Sequence, residues 1–309
     1  MQSNKKKLAD LSKRQMLKRL AALSVSGWGL GASQHALSAV DQTSTVPAWP
    51  LWKAKKAGQS VYVFGETPPR ATAWHDQRIE TLAQQCGTIW TETNQIKVKE
   101  TKSLVMQFGL DLTKPLSDRL SEHDYHRLKQ LAEIAKVPVE AVSPMRPWLA
   151  ALTLETAYFA TMQLDEKNTA ERVLLSANKD TNIKHKSEFT TQDHLLEFMG
   201  AMSAEEDLQF LQYTLDHTLA GISKNESIYA AWARGDEKPA QEFVEQMRQK
   251  QPALYAKHIV ERNRGWIQRF EAMEKEAKPS LVIVGLFHMV GPDSLVNQLR
   301  ISGWSLERV

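Results

Sequence analysis

The chain has one cysteine, Cys86, among 309 residues. That excludes an intrachain disulfide and a thiolate metal cluster. It also lacks an excess of one charge: 39 Lys and Arg stand against 36 Asp and Glu, a net +3. Part of the excess sits in the first twenty residues, so the remainder is close to neutral and gives no case for nucleic-acid binding. Long apolar runs are missing too. Leu20 to Ala32 is interrupted by Gly27, Gly29 and Gly31 and is too short to span a bilayer comfortably. There is no Gly-x-Ser-x-Gly elbow and no glycine-rich phosphate loop, which removes the simplest serine-hydrolase and nucleotide-binding readings.

What is present fits a soluble globular protein. The chain is 42% hydrophobic and 24% charged, which is ordinary, and it is long enough to bury a sizeable core. Residues 1–39 read as an export signal. Lys5, Lys6, Lys7, Lys13, Arg14, Lys18 and Arg19 form a basic start, and Ala36-Leu37-Ser38 with Ala39 offers a small-residue cleavage site. Ser12 to Lys18 resembles a twin-arginine export motif, with Lys13 in place of the first arginine. The chain is therefore expected in the periplasm or secreted, touching a membrane only through an uncleaved signal. Residues 40–57, with Pro47, Trp49 and Pro50, read as a linker. Residues 58–309 then form one domain.

Three strands end in residues that carry chemistry. Val61-Tyr62-Val63-Phe64 leads into Gly65-Glu66, where Pro68 and Pro69 prevent a helix from following directly. Thr88 to Thr93 is rich in β-formers and places Glu92 at its end. Leu281-Val282-Ile283-Val284 is an apolar β-branched run; Gly285 breaks it and His288 follows three residues later. An imidazole there can bind a metal or carry a proton near neutral pH. A fourth strand over 182–185 leads to Ser187-Glu188-Phe189. Helices are expected over 74–85, 116–136, 147–162, 165–176 and, with breaks, 191–276; Val137-Pro138-Val139 reads as a brief extended piece. In the last helix His258, Arg262 and Trp266 share a face, while Arg262 and Asn263 sit among charged residues and read as solvated. Cys86 falls on an apolar helix face, as a packed thiol. The closing residues 304–309 read as an edge strand.

Val284-Gly285-Leu286-Phe287-His288-Met289-Val290-Gly291-Pro292-Asp293-Ser294-Leu295, with Leu299 and Gly303-Trp304, resembles the C-terminal signature of the TraB/GumN (Tiki-like) family. Ile89-Trp90-Thr91-Glu92, Leu116-Ser117-Asp118, Pro147-Trp148-Leu149, Glu188, Trp232 to Asp236 and Glu261 to Arg264 resemble its other blocks, in order. The resemblance implies an α/β fold: a central mixed sheet with Gly-x-x-His motifs at strand ends, surrounded by many helices. It also implies a divalent-metal-dependent hydrolase acting on a peptide or another amide or ester, because Tiki-like relatives are metal proteases using manganese or cobalt. Other relatives are linked to pheromone inactivation or polysaccharide gene clusters.

One departure matters. The first Gly-x-x-His falls on Gly65-Glu66-Thr67-Pro68, and Pro68 has no side-chain donor or acceptor. Glu66 then takes the lost ligand position beside His288, or His75 swings in. Under the resemblance Glu92 or Glu188 serves as general base, and Arg262 and Asn263 bind the substrate carbonyl or developing negative charge. A carboxylate-rich site favours harder ions such as manganese over copper, and with the resemblance the expected cofactor is a divalent ion, manganese or cobalt ahead of zinc. The missing histidine also supports a rival expectation, a catalytically inactive protein that binds a peptide or small ligand in the same pocket.

Overall fold

A computed structural model describes residues 48–94, 101–220, 222–273 and 277–309. The export-signal expectation over 1–39 lies outside them. The chain runs β1 (Leu51–Lys56), β2 (Gln59–Glu66), α1 (Gln77–Gln85), β3 (Thr88–Thr93), α2 (Thr101–Gly109), α3 (Glu122–Ile134), α4 (Val139–Val142), α5 (Pro147–Thr161), α6 (Ala170–Asn178) and β4 (Lys184–Phe189). It continues through α7 (Gln192–Gly200), α8 (Ala204–Leu219), α9 (Ile222–Ala233), α10 (Lys238–Lys250), α11 (Pro252–Tyr255), α12 (Arg262–Ala272), β5 (Ser280–Gly285), α13 (Leu295–Ile301) and β6 (Ser305–Arg308).

The strands form one mixed sheet in the order β4-β3-β5-β2-β1-β6. The first four are parallel to one another, and β1 and β6 are added antiparallel. Every residue of β5 is buried, as expected for a central parallel strand covered on both faces. The α/β fold class read from the sequence is thus the fold observed.

Several boundaries differ. The segment 40–57 is a linker only in part: from Leu51 it is β1, paired with β2 from Leu51↔Phe64 to Lys56↔Gln59. Trp52 and Ala54 face the core while Lys55 is exposed. The hairpin turns at Ala57 and Gly58, both with positive φ (50° and 83°), the mirror-image turn that matches strand twist. Of Val137-Pro138-Val139, Pro138 is extended (φ −60°, ψ 131°) at the N-cap position, and α4 begins at Val139. The 116–136 helix begins only at Glu122, because the Ser121 side chain caps it by accepting from the Asp124 N–H.

The register between β3 and β5 positions the site. Pairing runs Thr88↔Ser280, Ile89↔Leu281 and Trp90↔Val282, then stops. Beyond Trp90 the two strands splay. Their C-terminal ends leave a crevice, the place where open α/β sheets present ligand-binding groups.

Candidate active site

Four parallel strands deliver the charged groups to one end of the sheet. Glu188 ends β4, Glu92 ends β3, His288 follows β5 in a single helical turn (Leu286–His288), and Glu66 ends β2. All four are at least 95% buried.

Glu92 is the hub. Its Oε1 lies 3.0 Å from His288 Nε2 and 2.9 Å from the Arg262 guanidinium. Burial alone would raise its pKa. The Arg262 charge, the His288 hydrogen bond and the Gly285 backbone N–H outweigh that and hold it at about 2. Arg262 also forks onto Glu188, with Nε–H 3.2 Å from both carboxylate oxygens and an Nη2 hydrogen bond of 2.6 Å. The guanidinium is fully buried between two carboxylates, so the solvated face expected here is instead a buried ion triad. A π-helical segment over 256–261 precedes Arg262. Such an insertion turns the following residues about the helix axis and is frequent at functional sites.

Asn263 fixes the imidazole. His288 Nδ1 lies 2.7 Å from Asn263 Oδ1, and the Asn263 amide donates to the Asp293 carbonyl at 2.8 Å. The amide oxygen only accepts, so Nδ1 carries the proton and Nε2 faces Glu92. Gly285 does not serve here by conformational freedom. Its φ of −58° and ψ of 140° suit any residue. A Cβ there would sit at ordinary contact distance from His288 and Glu92, 3.8 and 3.9 Å, so nothing need move to admit one.

Glu66 stands apart from this cluster. Its Oε2 accepts the Glu171 backbone N–H at 2.9 Å, at the N-terminus of α6. Among the described residues no hydrogen bond joins it to His288. Burial, then the neighbouring Glu171 charge, raises its pKa well above the usual carboxylate range. Glu171 is 1% exposed, its Oε1 has no hydrogen-bond partner, and burial lifts its pKa to about 8. Each feels the charge of Glu92. Sequence reading missed Glu171, because Thr169-Ala170-Glu171 reads as an ordinary helix cap with an acidic first turn. His75 does not enter the site; it is exposed and pairs with Glu80 at 2.6 Å. Cys86 is a buried thiol with its pKa pushed up to about 12 by burial, as a packed cysteine should be.

A narrow void of about 20 Å³ lies against Glu92, Arg262, Gly285 and His288, room for about one water. His258, in the π segment, forms part of its wall and is held neutral by burial and by Arg262.

A family model described as the TraB/PrgY/gumN family matches residues 50–308. The chain belongs to this family. The match begins one residue before β1 and ends at the last residue of β6, so the whole sheet lies within the TraB/PrgY/gumN region. No curated protein and no solved structure matches the chain. Among the described residues no three His, Cys, Asp or Glu side chains converge on a single metal position, and no helix is long and apolar enough to cross a membrane.

Proposed function

We propose that this protein is a divalent-metal-dependent hydrolase of the cell envelope, acting on a peptide or another amide or ester. The observation that carries the reading is the Glu92–His288 pair. With Nδ1–H given to Asn263, Nε2 and the Glu92 carboxylate face each other 3.0 Å apart as a buried pair of potential ligands. A proton bridges the two groups in this arrangement, and a divalent ion would take the place of that proton between the same two ligands. Two further buried carboxylates feel the Glu92 charge from outside this pair. Glu66 and Glu171 are crowded carboxylates whose pKa values burial has raised, and the Glu171 Oε1 is an orphaned buried oxygen.

Glu92 and His288 would hold the ion, an oxygen and nitrogen pair that manganese accepts. When bound, such an ion lowers the pKa of a coordinated water toward neutrality. Asn263 keeps the His288 tautomer. Arg262 keeps Glu92 anionic and holds both Glu92 and Glu188 in place. Neither of those two suits the base role that the resemblance suggested, because Arg262 engages both. The Glu66–Glu171 pair suits it better: a carboxyl with a pKa of about 8 takes and returns a proton near neutral pH. Export by the N-terminal signal would bring the protein to the periplasm.

Incubation of the metal-loaded protein with a casein digest, followed by mass spectrometry of the products, tests the reading. New cleavage that requires Mn²⁺ or Co²⁺ and falls at least about 100-fold in Glu171→Gln supports it. Pro68, buried where the first motif has histidine, favours the second reading, a binding protein without turnover. Peptide binding without any cleavage would select that one.

A further inference from the structure

The helix that carries Arg262 and Asn263 runs unbroken from Pro252 to Ala272, through α11, the π segment over 256–261 and α12. Tyr255 lies eight residues before Asn263. In a plain α-helix eight residues turn through about 800°, which sets two side chains nearly a quarter-turn apart. A π insertion absorbs one residue, so the same eight turn through about 700° and bring the two side chains within about 20° of one line. Both reach the same residue. The Tyr255 hydroxyl donates to the Asp293 carboxylate at 2.8 Å, and the Asn263 amide donates to the Asp293 carbonyl at 2.8 Å. We propose that Tyr255 is a positioning residue: through Asp293 it locks the orientation of the Asn263 amide, and with it the proton on His288 Nδ1.

Each hydrogen-bonding group of that buried amide is committed. Asn263 Nδ2 donates to the His288 carbonyl at 3.3 Å as well as to Asp293, and Oδ1 accepts from His288 Nδ1 at 2.7 Å. Turned end over end, the amide would aim its oxygen at two carbonyl oxygens and an N–H at Nδ1. The imidazole proton would then move to Nε2, the nitrogen that faces Glu92. The shorter of the two bonds that oppose this turn is the one to Asp293, so the amide is only as fixed as Asp293 is. The turn around Asp293 is held from several sides. Gly291 has a φ of 87°, and a Cβ on it would lie 3.0 Å from Val244 of α10. Asn297 of α13 donates to the Gly291 carbonyl at 3.0 Å. Tyr255 supplies the bond to the Asp293 side chain itself, a hydroxyl on a carboxylate.

Proton exchange, read by NMR on the full chain in chelator with heavy nitrogen at histidine and tryptophan, tests the lock without metal or turnover. The His288 Nδ1 proton is identified by its loss in His288→Gln. The buried Trp148 indole N–H, which donates to the Phe108 carbonyl at 3.3 Å, shares no partner with the lock and is the internal reference. Tyr255→Phe keeps the ring and removes the hydroxyl. It is expected to speed exchange of the Nδ1 proton at least about tenfold, the effect of losing one hydrogen bond to a carboxylate, with Trp148 unchanged. Asp293→Ala is expected to do the same. Asp293→Asn keeps an acceptor for the hydroxyl and is expected to stay within about twofold of the parent. Unchanged exchange in Tyr255→Phe overturns the lock. Equal acceleration at Trp148 also overturns it, because that is a general loosening of the fold, and so does Asp293→Asn behaving like Asp293→Ala. The lock stands without the hydrolase reading. Its bearing on metal rests on that reading: Tyr255→Phe is then expected to weaken Mn²⁺ binding several-fold. A parent that binds no Mn²⁺ while the exchange pattern holds defeats the hydrolase reading alone.

Discussion

Arg262 is the residue on which the buried charges depend. It neutralises Glu92 and Glu188 together, with side-chain exposures of 4%, 3% and 5%. Removing it leaves two carboxylates buried without a counter-charge. Arg262→Ala is expected to cost about 3–5 kcal/mol in urea unfolding. Arg262→Lys keeps the charge but loses the fork and should recover only part of that. A loss under about 1 kcal/mol would mean the triad is solvated. This residue was also hard to read in sequence. Lys257, Glu261 and Arg264 surround it, and helical spacing alone does not tell a solvated charge from one turned inward by a π segment. Glu92, Glu188 and His288 were legible because each ends a run with strand character. Glu171 was hidden by its resemblance to a routine capping carboxylate.

At the scale of elements, the two strands that share the apolar-run-then-glycine plan lie side by side, Gly65 opposite Val284 and Glu66 opposite Gly285. Their glycines do different work. A Cβ on Gly65 would fall 2.7 Å from the Trp232 ring and 2.9 Å from Met289, and Trp232 Nε1 already donates to the Gly65 carbonyl at 2.8 Å. Gly65→Ala is therefore expected to lose about 1–3 kcal/mol by overpacking. Gly285→Ala should stay within about 0.5 kcal/mol of the parent, since its methyl meets His288 and Glu92 only at ordinary contact distance. Equal destabilisation of the two variants in urea would contradict this division. The strands of the parallel core were readable from β-branched runs. β1 was not, because Lys53, Lys55 and Lys56 mask a short alternation and Ala57-Gly58 is a weak hairpin signal beside Asn-Gly.

For the whole molecule, the opposed pKa shifts set a pH dependence. Glu66 and Glu171 are raised in the fold, so the folded chain holds protons that the unfolded chain releases. Their stabilising effect is complete below the ordinary glutamate value of 4.5 and is lost as pH rises through each raised folded value, about 8 for Glu171. Glu92 is depressed, so its contribution is present above 4.5 and is lost as pH falls toward about 2. The metal-free protein is then expected to melt at lower temperature at pH 8 than at pH 5, with the difference smaller by at least about 2 °C in Glu171→Gln. An identical pH slope in parent and variant by calorimetry would show that Glu171 titrates normally. The same carboxylates bear on the central question of metal. The direct measurement is Mn²⁺ titration of the chelator-treated protein by calorimetry, beside Glu92→Gln and His288→Ala variants confirmed as folded by circular dichroism. About one ion per chain in the parent, with binding lost in both variants, is the predicted result. No binding in the parent, or binding that survives both substitutions, would contradict a metal held between Glu92 and His288.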